Sequence, residues 1–303
     1  MKRFLTLTSV LACFFATVST AQERTRSQNA QPPVGATERL DDKTRGSAIR
    51  VSELQGMNLK NLQGENVGKI HDLVLDVNGR TVQYAAVTYG GFLGIGNKLF
   101  AVPFEAFQVG TEKGEPVMIL DVSEEQLKSA EGFDDDNWPN FADPDYTNRV
   151  AELYSIDRSD RPGRQRTSGS NQSPSAEGQL IFRANKLIGT NLQNSQREQV
   201  GEIYDLVVDI QKGDLRYAAV TYGGFLGFGN KLFAVPMEAF QYQPHAERRG
   251  EYVIVLNVTE DQLDRSEGFD QDNWPDFNDD SLVRTLDRRY GVERDRGNLT
   301  APR

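Results

Sequence analysis

The chain has 303 residues, a formal net charge of -10 and 38 % hydrophobic residues. An acidic surface without a basic stripe repels polyanions, which excludes nucleic acid as a partner. The length suits two domains of ordinary size, and the low apolar share implies that part of the chain stays unpacked.

The N-terminus reads as an export signal. Lys2 and Arg3 form a basic start, residues 4–18 an apolar run, and Ser19 and Ala21 the minus-three and minus-one positions of a cleavage site. A signal peptide is therefore expected over residues 1–21, cut after Ala21, which would place the mature chain in the periplasm of a Gram-negative bacterium or outside the cell. The apolar run is short of the ~20 residues that span a bilayer, and no later stretch approaches that length, so no transmembrane helix is expected in the mature chain. Cys13, the only cysteine, lies within the signal, so export brings no disulfide. Lipid attachment at Cys13 is the weaker reading, because Phe14 and Phe15 stand where a polar tether belongs.

Residues 22–48 are polar, contain Gln31-Pro32-Pro33 and read as disordered. A folded repeat is expected over residues 49–158. Within it, residues 67–77 read as a strand with both faces partly buried, and Asn78-Gly79 as a favoured two-residue hairpin turn. Residues 82–89 alternate as a half-buried strand does, and residues 98–102 form another short strand closed by Pro103. Between these two strands runs the glycine-rich phrase VTYGGFLGIGNKLFAVP, starting at Val87. One more strand covers residues 117–122. Ser123-Glu124-Glu125-Gln126 is a capping box that should start a short helix, and Tyr146, Val150 and Tyr154 recur at helical spacing further on.

Residues 159–178 are rich in Ser, Gly, Pro and Arg and read as a flexible linker. The pattern then returns in a second repeat over residues 179–294, followed by a disordered tail at 295–303. Residues 56–108 align without a gap on residues 189–241, about two thirds of them identical. After a small insertion around His245 the match resumes. It includes a second capping box, Thr259-Glu260-Asp261-Gln262, and the pair EGFDDDNWPNF and EGFDQDNWPDF, starting at Glu131 and Glu267. Leu282, Leu286 and Tyr290 repeat the helical spacing.

Several of these residues invite a chemical reading. Residues 91–98 superficially resemble a phosphate loop, but Asn97 separates Gly96 from Lys98, Leu99 replaces the hydroxyl residue, and a strand follows where a helix is needed. The phrase reads as a hairpin whose glycines permit positive φ. Asp134-Asp135-Asp136-Asn137 and Asp270-Gln271-Asp272-Asn273 offer oxygen ligands of the kind calcium takes, without EF-hand spacing. They read as solvated acidic loops pinned by Trp138 and Trp274. Of the two histidines, His71 becomes Tyr204 in the other copy and His245 lies in the insertion, so no catalytic His recurs. Asp72 and Asp205 are weak candidates for general acid or base, against the commoner reading of carboxylates that accept backbone donors. No cofactor, metal site or catalytic residue is expected. The apolar tip residues Phe92, Leu93 and Ile95, with Phe225, Leu226 and Phe228, exceed what a solvated turn needs. They either fold back on their own barrel or the other copy, in a pseudo-dimer within the chain, or form an interaction surface for an unknown protein partner.

The stretches RVSELQGMNL with VGKIHDLVLDVNGR, and RANKLIGTNL with VGEIYDLVVDI, each followed by YAAVTYGGFLG and KLFAVP, resemble the PRC-barrel family. That family includes the cytoplasmic domain of the photosynthetic reaction-centre H subunit and the C-terminal domain of the ribosome maturation factor RimM. The resemblance implies a mainly β fold, two tandem small barrels with short helical additions, and a non-catalytic role in protein interaction or assembly. It also implies an alternative, a small-ligand or quinone-associated protein of the cell envelope, by similarity to the H subunit.

Overall fold

The structure, a computed structural model, describes residues 48–89, 98–156, 179–222, 231–248, 250–256, 258, 266 and 268–292. The segments read as signal and linker, both glycine-rich tips and the second capping box therefore lie outside the described residues. The first repeat contains β1 (Ala48–Arg50), α1 (Val51–Leu54), β2 (Asn58–Lys60), β3 (Asn66–Asp76), β4 (Thr81–Tyr89), β5 (Leu99–Pro103), β6 (Phe107–Glu112), β7 (Glu115–Leu120), α2 (Glu124–Ser129) and α3 (Pro144–Leu153). The second contains β8 (Ile181–Arg183), α4 (Ala184–Leu187), β9 (Asn191–Gln193), β10 (Gln199–Asp209), β11 (Asp214–Tyr222), β12 (Leu232–Pro236), β13 (Phe240–Pro244), β14 (Tyr252–Leu256) and α5 (Asp280–Tyr290).

The long antiparallel hairpins β3–β4 and β10–β11 form the centre of each repeat, and near-continuous apolar runs let both of their faces be buried. Each carries a β-bulge: Ile70 faces Val87 and Asp72 faces Ala86, so His71 is the extra residue, as Tyr204 is in the other copy. Gly68 and Gly201 lie under the neighbouring strand so closely that a Cβ would fall 1.9 Å from the carbonyl oxygen of Thr88 or Thr221. The first hairpin closes through the four residues 77–80, two more than the Asn-Gly pair implies, because Asp76 and Thr81 are its last paired residues. The Asp76 carboxylate accepts the amides of Asn78 and Gly79, which holds the turn, and the positive φ falls at Arg80 (52°). Asp209 does the same for Gln211 and Lys212, with Gly213 taking the positive φ (72°).

Helix starts follow the sequence closely. The Ser123 hydroxyl accepts the Gln126 amide while the Gln126 side chain accepts the Ser123 amide, completing the capping box of α2. Asp143 and Asp279 cap α3 and α5, which bury Tyr146 and Val150, and Val283 and Leu286, against their own repeats.

Among the described residues fourteen strands form one sheet that runs through both repeats. The first contributes β6-β7-β2-β3-β4 and the second β11-β10-β9-β14-β13, with the parallel pairs β2–β7 and β9–β14 inside the halves. The halves join where Thr81 of β4 pairs with Asp214 of β11, the Val82 amide donating to the Gly213 carbonyl and the Leu215 amide to the Arg80 carbonyl. A more extensive connection is a reciprocal exchange. β1 pairs with β10 of the second repeat (Ala48 with Asp209, Arg50 with Val207), and β8 pairs with β3 of the first (Ile181 with Asp76, Arg183 with Val74). One apolar cluster accordingly contains Val51, Leu54, Leu73 and Leu75 together with Ala184, Leu187, Leu206 and Val208. The flanking clusters are mixed in the same way. Ile181 packs on the first repeat's Val74–Phe141–Tyr146 group, and Ala48 on the second repeat's Val207–Phe277–Leu286 group.

Candidate functional site

The exchanged arms gather most of the polar residues that the sequence marks as chemically interesting. Neither α1 nor α4 has a capping side chain of its own, since arginine stands at the N-cap of each. A four-residue helix started this way leaves its first amides without acceptors. The other repeat supplies them. Asp205 accepts the Ser52 amide at 3.2 Å and the Ser52 hydroxyl at 2.5 Å, and Asp72 accepts the Asn185 amide at 3.2 Å. Each aspartate also accepts the amide of the residue after it, Leu73 or Leu206, at 2.8 Å. Both carboxylates are buried, next to the bulge that aims them across the interface. Asp72 and Asp205 thus sit as helix caps in trans, with their oxygens committed to donors rather than open to a substrate.

Arginine and tryptophan complete the interface. In the first repeat the Arg183 guanidinium lies over the Trp138 ring, 3.7 Å from its centroid, a cation–π contact. Its Nε donates to Asp72 at 3.0 Å and its Nη2 to Asp135 at 2.9 Å. Asp135 also accepts the Trp138 indole N–H at 3.0 Å and lies 3.2 Å from His71 Nε2. The Trp138 N–H, with His71 and Arg183 beside it, holds the Asp135 carboxyl below its ordinary range despite a desolvation cost. Asp135 of the acidic loop is therefore a clamp residue. Among the described residues no group of three or more His, Cys, Asp or Glu side chains is arranged to hold a metal ion.

The second repeat builds the same clamp incompletely. Arg50 lies over Trp274, 4.7 Å from the ring centroid, but its Nε and Nη2 donate to Glu53 of its own helix. Gln271 stands where the first repeat has Asp135, and the Trp274 indole N–H is buried without a hydrogen-bond partner among the described residues. Tyr204, at the position of His71, packs its ring 6.3 Å from Trp274. Asp205 is raised by burial, against the lowering effect of the Ser52 hydroxyl, the Leu206 and Ser52 amides and the charge of Arg50.

His245 lies apart from this interface, its Nδ1 accepting the Glu247 and Arg248 amides and its Nε2 lying 3.0 Å from Arg248 Nη2. The tip residues Phe92, Leu93, Ile95, Phe225, Leu226 and Phe228 lie outside the described residues. Recurrence of Arg50 with Arg183 and of Trp138 with Trp274 at equivalent places was the available signal for the clamp, because a pair kept in both copies is a candidate for contact. Sequence reasoning treated the tryptophans as loop anchors and missed their arginine partners.

Paired barrels joined by exchanged arms, with their buried carboxylates used as caps, define the fold. Residues 46–127 and 180–263, more than half of the chain, match the PRC-barrel domain, and the chain belongs to that family. It is a tandem PRC-barrel protein, built from domains whose general role is protein interaction. No curated protein matches the chain. No described helix is long and apolar enough to cross a membrane.

Proposed function

We propose that the chain is an exported assembly module of the bacterial envelope, in which two interlocked PRC barrels present paired docking surfaces to a protein partner. The observation that carries this reading is the exchange interface. Arg183 of the second repeat bridges Asp72 and Asp135 of the first, Asp72 accepts the Asn185 amide, and Asp205 accepts the Ser52 amide and hydroxyl, so the charged residues serve to hold two barrels in fixed relation. A rigid pair suits bivalent docking, in which the second contact is made at high effective concentration. The signal-like N-terminus supports export to the periplasm, and the apolar tips around Phe92 and Phe225 are the proposed contact surface.

Crosslinking in the native envelope, followed by mass spectrometry of captured proteins, tests the reading. The mature N-terminus should be Gln22, and one partner should be recovered with the wild type and lost with the Phe92→Ala and Phe225→Ala double variant at unchanged stability. Retention of the partner by a stable double variant removes the tips from the proposal. A chain retained in the cytoplasm with residues 1–21 intact removes export.

A further inference from the structure

The two repeats provide an internal comparison in which one clamp is complete and the other lacks the carboxylate that bridges its arginine and tryptophan. In the first, the Asp135 carboxylate bridges the Trp138 indole N–H and the Arg183 guanidinium. In the second, tryptophan and arginine are both present and stacked, but the carboxylate is replaced by the exposed Gln271, and the Trp274 N–H is buried without an acceptor among the described residues. A buried N–H without a partner carries a desolvation penalty that any oxygen acceptor placed against it would relieve. Arginine beside it makes an anionic acceptor the favoured kind, since charge-assisted hydrogen bonds are shorter and stronger than neutral ones.

We propose that the Arg50–Trp274 face is a carboxylate-binding site, accepting from outside the group that Asp135 supplies from within the first repeat. The incoming carboxylate takes the indole N–H of Trp274 and the Arg50 guanidinium, as Asp135 takes those of Trp138 and Arg183. The exposed Gln271 side chain swings aside to admit it. Glu53 and Asp205 lie nearby and compete for or repel the anion, so affinity for a single carboxylate is weak, in the millimolar range, and a carboxylate presented on a docked protein benefits from its other contacts. The site is independent of the apolar tips, so its failure leaves the assembly reading standing and the converse also holds.

The chain has two tryptophans, one in each repeat, so the two indole N–H signals of the labelled protein report on the two clamps separately. Sodium acetate, and in a second arm a blocked peptide carrying one aspartate, are titrated at constant ionic strength against sodium chloride. The Trp274 signal should shift saturably with carboxylate and not with chloride, while the Trp138 signal stays in place. A response to acetate and peptide alike indicates small carboxylates as ligands; a response to the peptide alone indicates an acidic side chain of a protein. Gln271→Asp should move the Trp274 signal in the same direction without ligand and abolish the response, and Asp135→Gln should make Trp138 responsive. A Trp274 signal that ignores both carboxylates, or that shifts equally with chloride, overturns the proposal.

Discussion

Asp72 and Asp205 occupy equivalent places in the two repeats and differ in their side-chain partners. Asp72 has the Arg183 guanidinium and the Gln55 amide, whereas Asp205 has the Ser52 hydroxyl. Replacing Asp72 by Asn puts an amide donor against Arg183 Nε and discards an ion pair, which should cost about 1.5–3 kcal/mol of stability at neutral pH. Asn at Asp205 keeps every hydrogen bond, its amide donating to the Ser52 hydroxyl and its oxygen accepting the two backbone amides, and it removes a buried charge. The sign follows from the raised pKa of Asp205. The acid is protonated in both folded and unfolded chains below the ordinary carboxylate range, and ionisation costs folded stability as pH rises through the raised value. Urea unfolding across acid to neutral pH should therefore show Asp205→Asn gaining on the wild type as pH rises, with the advantage gone in acid. A loss at neutral pH as large as that of Asp72→Asn would contradict this account of Asp205. Steric demand at the same hairpins is set by Gly68 and Gly201, where a Cβ would meet a carbonyl oxygen at 1.9 Å. Gly68→Ala should cost about 3 kcal/mol or more, the upper range for overpacking against an element that cannot yield, and a thermal melt within a degree or two of wild type would refute the close approach.

At the scale of elements, what was legible in the sequence had a local cause. Strands β3, β4 and β5 lie within one residue of where alternation and turn residues put them, and α2 starts at its capping box. The hairpin turn was misjudged because Asp76 competes for the turn amides and extends the loop to four residues, an effect an Asn-Gly pair does not disclose. The arms were not legible. Ala48–Arg50 and Ile181–Arg183 are three-residue strands, too short for a periodic pattern, and the same residues would satisfy pairing within a repeat or across repeats. The choice is made by contacts distant in sequence, such as Ser52 with Asp205 and Arg183 with Trp138. The site was half legible for the same reason. Asp72, Asp205 and the acidic Asn-Trp-Pro loops stood out as recurring polar features, but their joint use as caps and clamps depends on an exchange that no single segment encodes.

For the whole molecule, the exchange makes the repeats interdependent even though the sequence presents them as two beads on a linker. Each barrel lacks a strand, a helix and an arginine that only the other repeat provides. Limited proteolysis is expected to cut first in the Ser-, Gly- and Pro-rich residues 159–178, where the composition offers little to bury. After the cut the two fragments should elute together at the size of the intact chain and separate only in denaturant. Arg183→Ala, which alters the second repeat's arm, should weaken the first repeat's clamp first and the whole assembly with it, because Asp72 is left as an unpaired buried charge. The most direct measurement follows the native indole signals of Trp138 and Trp274 through a urea titration of the intact chain. The interlocked fold predicts one shared midpoint, displaced equally for both signals by Arg183→Ala. Two separated midpoints, with Arg183→Ala moving one and leaving the other in place, would show the repeats to be independent domains and would contradict it.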